Sequence, residues 1–363
     1  MARIPLSRPS VTEEMIQAMA QAMRDERLVM GESVFKFEEE FARYIGTDHA
    51  VSVSSGTDAL ILSLLSLNIR VREVITTPMS FIATANAVVH AGGTPVFADV
   101  LPDGNIDPAE VRSRRETAAV LPVHLYGNPA RMDEIVEAAG PNVKIVEDAC
   151  QAHGAMYKGK RCGAIGDVGC FSFYTTKNMT VGGDGGMVTT NDERLANDIR
   201  KLRDCGRVSR YEHDVFGFTS RLNTANAAFG RVQLRHLDEW NERRRALARR
   251  YSERLKDVMD IKLPPLGTRD VVPVFHIYAI RCGDRDALAK QLGDRGVETA
   301  VHYPIPIHLQ PVYHDAYGFA HGSYPASERM ADTVLSLPLF PGLEDKQVDE
   351  VCGLIVEHYG GSR

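Results

Sequence analysis

The chain has one tryptophan among its 363 residues, no Cys-x-x-Cys pair among its six cysteines, and no apolar run long enough to cross a bilayer. Each shortage excludes a class of protein. Cys150, Cys162, Cys170, Cys205, Cys282 and Cys352 are spread too thinly for a disulfide framework or a zinc site, and suit reduced thiols. The longest near-apolar stretch, residues 59–67, falls well short of the ~20 residues a membrane helix needs. Met1 to Leu6 opens no apolar leader core, so the expectation is a cytoplasmic protein with no membrane partner. Excess positive charge is also missing. With 42 lysines and arginines against 48 acidic residues, the net charge is -6 and the signs are interspersed, which leaves no basic stripe to track a nucleic-acid backbone. His302, His308 and His314 are evenly spaced, but Pro304, Pro306 and Pro311 prevent the continuous helix that would gather them around a metal, and none is expected.

What is present is length and alternation. The chain exceeds one unit of roughly 100–200 residues, and two domains are expected: an N-terminal arm with a large domain over residues 1–240, and a small domain over 241–363. Thr12-Glu13-Glu14 opens a helical pattern to about Arg27, and residues 33–44 continue it with Val34, Phe37, Phe41 and Tyr44. Short β-rich runs at 50–53, 74–76, 95–100, 119–123, 143–146, 168–173 and 187–189 then alternate with helical patterns at 59–67, 82–91 and 132–139. That order predicts an α/β fold with a mainly parallel sheet, helices on both faces, and a site at the carboxyl ends of the strands. An amphipathic, arginine-rich stretch from Thr224 to about Leu255 predicts a helix bridging the domains. Beyond it, a strand over 273–281 and helices over 285–295 and 344–358 predict a smaller α+β unit.

Three segments carry chemistry. In Cys170-Phe171-Ser172-Phe173-Tyr174-Thr175-Thr176-Lys177-Asn178, followed by Gly182-Gly183-Asp184-Gly185-Gly186, a lone lysine leaves a strand among hydroxyls and glycines, with the room and partners of a Schiff-base lysine. In Glu147-Asp148-Ala149-Cys150-Gln151-Ala152-His153-Gly154, a carboxylate ends an apolar strand; taken alone, such a group is more often a helix cap or solvated turn than a catalytic partner. Ser55-Gly56-Thr57-Asp58 opens a helix whose free amides and dipole suit an anion, although such a tripeptide is also an ordinary turn and cap.

Together these segments resemble the DegT/DnrJ/EryC1/StrS family of sugar aminotransferases, which depend on pyridoxal 5'-phosphate (PLP), over nearly the whole chain. The resemblance implies the PLP-dependent transferase fold of type I, with Lys177 as the catalytic, cofactor-bearing lysine. It implies Asp148 at the pyridine nitrogen, Gln151 at the phenolic oxygen, Gly56, Thr57, Asp58 and Ser172 at the phosphate, and Phe81 against the ring. Asn223 would reach the phosphate of a neighbouring subunit, making a homodimer with shared active sites; its alternative is the cap of the helix from Thr224. His302, Tyr303 and His308 would lie near a nucleotide sugar, or form a rigid proline-rich connector. The implied reaction moves an amino group from L-glutamate to a keto group of a nucleotide-linked deoxysugar, in amino-sugar, surface-polysaccharide or glycoside biosynthesis. Rivals are a cyclitol ketone or aminobenzoate precursor as acceptor, or a non-catalytic PLP-binding regulator. Lys177, where dehydrating members have histidine, favours transamination, and Lys177-Asn178 with Gly183-Asp184-Gly185-Gly186 resembles members aminating C3 more than C4. Val71-Arg72 stands where the family usually has Gly-Asp before the next strand.

Overall fold

The computed structural model describes residues 4–360. Met1 to Arg3, at the head of the expected arm, and the last three residues of the expected small domain lie outside the described residues. In chain order the helices are α1 Glu13–Asp25, α2 Glu32–Ile45, α3 Gly56–Ser66, α4 Ala83–His90, α5 Met132–Ala139, α6 Glu193–Arg203, α7 Thr224–Leu255, α8 Arg285–Asp294, α9 Pro311–Tyr317, α10 Pro325–Thr333 and α11 Asp345–Gly360. The strands are β1 His49–Val53, β2 Glu73–Thr76, β3 Thr94–Phe97, β4 Thr117–Leu121, β5 Lys144–Asp148, β6 Met156–Tyr157, β7 Lys160–Arg161, β8 Val168–Ser172, β9 Gly186–Thr190, β10 Ile261–Lys262, β11 Val271–Val272, β12 Tyr278–Cys282 and β13 Val334–Leu337.

The large sheet runs β1-β9-β8-β5-β4-β2-β3. The pairs β8-β5, β5-β4, β4-β2 and β2-β3 are parallel, while β9 is antiparallel to both neighbours. A parallel return needs a crossover, usually helical. The connection from β8 to β9 holds the lysine turn and no helix, so the chain simply doubles back.

The strands alternate in which face they serve. Cys170 and Val188 join Leu60, Leu62 and Leu64 of α3 and Leu195 and Ile199 of α6 on one face. Phe171 and Met187, one residue away, join Val34, Phe37 and Phe41 of α2 and Leu237 of α7 on the other. α7 runs unbroken from this core to a second one, where Leu247, Tyr251 and Leu255 pack with Tyr278 and Ile280 of β12 and Val351 and Ile355 of α11. The expected domain boundary at residue 240 therefore falls inside α7. The small sheet is antiparallel, in the order β10-β12-β13. β11, β6 and β7 form a third sheet.

The expected strand over 273–281 begins only at Tyr278. Pro273 offers no N–H, Phe275 has φ of 46°, and the carbonyls of Val274, Phe275 and His276 accept from Asn178 and Arg244 side chains instead of a ladder. No described helix is long and apolar enough to cross a membrane.

One buried ion pair ties α2, α6 and β1 together. Arg203 donates through Nη1 to Glu38 and to the Ser52 carbonyl (2.7 Å), while Glu38 accepts from the Ser52 amide (2.9 Å) and hydroxyl (2.7 Å). Both side chains are buried. Arg203→Met leaves the Glu38 charge uncompensated, and urea denaturation is expected to show a loss of about 3–5 kcal/mol. Adding Glu38→Gln is expected to restore part of it.

Candidate active site

Lys177 lies in the turn after β8, its amide bonded to the Tyr174 carbonyl (2.8 Å). Asn178 locks the turn: its Nδ2 donates to Asn241 Oδ1 of α7 (2.9 Å) and to the Val274 carbonyl (3.0 Å). Asn241 in turn donates to the His153 carbonyl (2.7 Å), so the lysine turn and the Asp148-to-His153 turn hang from one point on α7.

Asp148 ends β5 opposite Cys170 of β8 and is 4% exposed. Its Oδ2 accepts from the Thr84 hydroxyl (2.8 Å) and its Oδ1 from the Cys150 amide (3.2 Å). Gln151 is oriented unambiguously. Its Oε1 accepts from the Tyr126 amide (2.7 Å), so its Nε2 faces the Tyr303 hydroxyl (3.2 Å). Tyr126 also donates to the His302 carbonyl. Phe81 is 55% exposed, with its ring centroid 6.0 Å from that of Tyr303.

The start of α3 completes the group. Ser55 caps the helix by accepting from the Asp58 amide (3.0 Å), which leaves the Gly56 and Thr57 amides without partners among the described residues. A Cβ on Gly56 would lie 2.6 Å from Ser172 Cβ, and one on Gly186 2.3 Å from the Ser55 carbonyl oxygen, so the helix start packs against β8 and β9 with no room for a side chain at either glycine.

Two expected residues take other positions. Asp58 turns its carboxylate to the Ser54 hydroxyl and the Ser220 hydroxyl (2.8 Å), bracing the turn rather than facing its amides. His308 is fully buried on Glu328 (3.0 Å) beside Tyr324, apart from the group around Lys177. Asn223 occupies the N-cap position of α7 but makes no side-chain cap bond and is exposed. His302 bonds Ser336 (2.9 Å).

His124, Glu147 and Cys162 form a buried cluster with ligand-like spacing. Glu147 accepts from His124 Nε2 (3.0 Å) and from the amides of Gly163 (2.8 Å), Ile165 and Gly166 (both 2.7 Å), and His124 Nδ1 accepts from the Ala130 amide (3.0 Å). The cluster's polar atoms thus brace a turn.

Burial shifts the titrating groups of the site in different directions. Burial holds the Lys177 amine below its ordinary pKa, against the opposing pull of Cys150 and Asp148. Burial and then the Asp148 charge push the Tyr303 hydroxyl up. Burial and then Lys177 pull His302 down.

The match to known proteins is extensive. Residues 9–356 match the DegT/DnrJ/EryC1/StrS aminotransferase family. This chain belongs to that family. It is 44% identical over 345 residues to a dTDP-3-amino-3,4,6-trideoxy-alpha-D-glucose transaminase of Streptomyces venezuelae, covering 94% of this chain and 90% of that one. It is 40% identical over 352 residues to a pleiotropic regulatory protein of Geobacillus stearothermophilus, covering 95% and 94%. Among solved structures, S. venezuelae DesV in complex with a ketimine intermediate superposes with a TM-score of 0.96 at 42% identity, covering 99% of each chain. The cofactor of this aminotransferase family is PLP, and the donor set fits it: a lysine, a carboxylate, an amide donor, and free amides beside hydroxyls where a glycine leaves room for a phosphate.

Thr84, Tyr126 and Asn241, which hold Asp148, Gln151 and the lysine turn, escape the sequence analysis because nothing local marks them. His153 also has a measurable consequence. It is buried between Phe171 and Phe173, and burial, then the Lys177 charge, hold it down to about 3. An unfolded histidine takes its proton near pH 6.5, so this one contributes stability above that pH which is lost as pH falls toward 3, at about 1.4 kcal/mol per unit. His153→Leu is expected to flatten the stability–pH curve in that window by one proton, measured by urea unfolding between pH 6.5 and 4.

Proposed function

We propose that the chain transfers an amino group from an amino-acid donor, L-glutamate, to the C3 keto group of a nucleotide-linked deoxysugar in amino-sugar, surface-polysaccharide or glycoside biosynthesis. The observation that carries this reading is the convergence of a half-buried Lys177, whose pKa burial lowers, with Asp148 and Gln151 beside the free amides of α3. The name and extent of the S. venezuelae transaminase support the sugar and the ring position.

When bound, the cofactor supplies a ring that takes up the electron pair left by the departing α-proton. Lys177 would hold and return that proton at Nζ, whose basicity burial lowers. Asp148, fixed by Thr84 and the Cys150 amide, would keep the ring nitrogen protonated, a charge-assisted contact worth about 1.5–3 kcal/mol. Gln151 Nε2 would donate toward the ring oxygen, Gly56, Thr57 and Ser172 would hold the phosphate, and Asp58 stiffens that turn through Ser54 and Ser220. Phe81 and Tyr303 form the aromatic rim for the substrate, with the His302 ring edge-on to Tyr303, and His308 shapes the connector. A regulator without catalysis would have no use for an oriented Asp148, Gln151 and Lys177.

The active unit is a homodimer, and the exposed, uncapped Asn223 reaches the second copy's phosphate. Support comes from the apolar surface near it: Phe216 and Phe218 precede it in the chain, and Val29, which bridges to Asn223, is 43% exposed.

Purified protein assayed against a panel of keto nucleotide sugars, cyclitol ketones and aminobenzoate precursors is expected to aminate a 3-keto nucleotide sugar; turnover confined to a cyclitol overturns the substrate. Borohydride reduction is expected to fix a pyridoxyl group on Lys177, and labelling of another lysine removes the assignment. Asp148→Asn is expected to keep most of the cofactor yet lose most of the donor half-reaction in single-turnover spectra. A Lys177→Ala chain mixed with an Asn223→Ala chain is expected to regain activity on subunit exchange, because one pocket of the mixed dimer collects both lesions and the other neither. Verified exchange without complementation contradicts the shared site.

A further inference from the structure

The lysine turn has a second side, which the proposed function leaves without a role. A cavity there is lined by Lys177, Asn178, Gln233, Trp240 and Arg244, and by Arg8 of the N-terminal arm. Arg244 projects from α7 and is 4% exposed. Its Nη1 donates to the carbonyls of Phe275 (3.2 Å), His276 (3.4 Å) and Leu339 (3.0 Å), which fixes the plane of the guanidinium. The other two nitrogens differ. Nε is sealed from solvent and has no acceptor, and Nη2 makes no hydrogen bond among the described residues. Nε–H and one Nη2–H run parallel along one edge, the edge that receives both oxygens of a carboxylate. No described acidic side chain pairs with it, and burial brings the guanidinium down to about 10.

We infer that this edge of Arg244 binds a carboxylate of the amino-acid donor, and of the oxo acid that the donor becomes, in the half of the reaction that loads the nitrogen. The inference rests on the aminotransfer reading and gives it a means of telling donor from acceptor: a keto sugar ring has no carboxylate to place on Arg244. The free space is about 10 Å³, room for a single water. A carboxylate therefore displaces the arm at Ser7 and Arg8, which is tethered by Gln233 Nε2 donating to the Ser10 carbonyl (2.7 Å).

The test uses the full chain, cofactor-loaded for kinetics and cofactor-free for binding, with succinate as the binding probe. Arg244→Lys keeps the charge and removes the parallel pair of donors. It is expected to raise the donor KM at least about tenfold while the aminated enzyme reacts with the keto substrate within about twofold of wild type. Succinate is expected to raise the Tm of cofactor-free wild type, speed hydrogen exchange at Ser7, Arg8 and Ser10, and leave the variant's Tm unchanged. An unchanged donor KM, or equal loss in both half-reactions, overturns the inference. If the variant does not fold, crystals of wild type grown with succinate decide: a carboxylate on Nε and Nη2 supports the site, and succinate elsewhere or absent overturns it. Succinate on Arg244 in a protein that transfers nitrogen from no amino acid sinks the aminotransfer reading while the carboxylate site stands. Transfer without any succinate effect does the reverse.

Discussion

The amide of Asn178 is the contact on which the arrangement depends. A turn rich in glycine and hydroxyl groups has no apolar side chains with which to fix itself, and Asn178 substitutes for them by donating at once to α7 and to the Val274 carbonyl. Its acceptor on α7, Asn241, uses its own amide nitrogen on the His153 carbonyl. Two turns from different strands, one bearing Lys177 and the other Asp148 and Gln151, are therefore referenced to a single helical residue. Both of the Asn178 bonds run from its Nδ2, while its buried Oδ1 has no partner among the described residues, so the turn is held from the donor side.

The same economy of position runs through the rest of the centre. Gln151 is useful because the Tyr126 amide engages its oxygen and leaves its nitrogen facing the tyrosine rim. Thr84 and the Cys150 amide each hold one oxygen of Asp148. Lys177, by contrast, receives no hydrogen bond to its amine among the described residues. Its surroundings act on it through burial, which disfavours charge. Immobilised carboxylate and amide around a lysine that is free to act is a division of labour suited to proton transfer.

Patterns of apolar residues made the layers legible. α5 and α7 begin and end where the pattern predicts, since an apolar stripe and its flanks define a helix without outside help. The reversal of β9 depends on which neighbour the strand meets after the lysine turn, and α6, strongly charged, gives too little apolar signal to stand out. Within the site, residue types were readable and their directions were not. Asp58 and His308 are polar residues in the expected segments, yet their side chains turn to Ser220 and Glu328, 162 and 20 residues away in sequence. Thr84 and Tyr126 are 64 and 25 residues from the groups they hold. Such choices are made by the folded chain, where most buried polar atoms find a partner far away in sequence.

The approach of Gly56 to Ser172, and of Gly186 to the Ser55 carbonyl, bears on how such a protein can change. There each glycine lies so close to its neighbour, Gly56 to the Ser172 side chain and Gly186 to the Ser55 main chain, that a Cβ has no room, so mutation at either glycine has almost nothing to vary. The opposite rim, at Phe81 and Tyr303, is made of side chains, one of them more than half exposed. A lineage adapting this scaffold to a new acceptor would inherit one wall unaltered and redraw the other, keeping its chemistry constant while its diet changes.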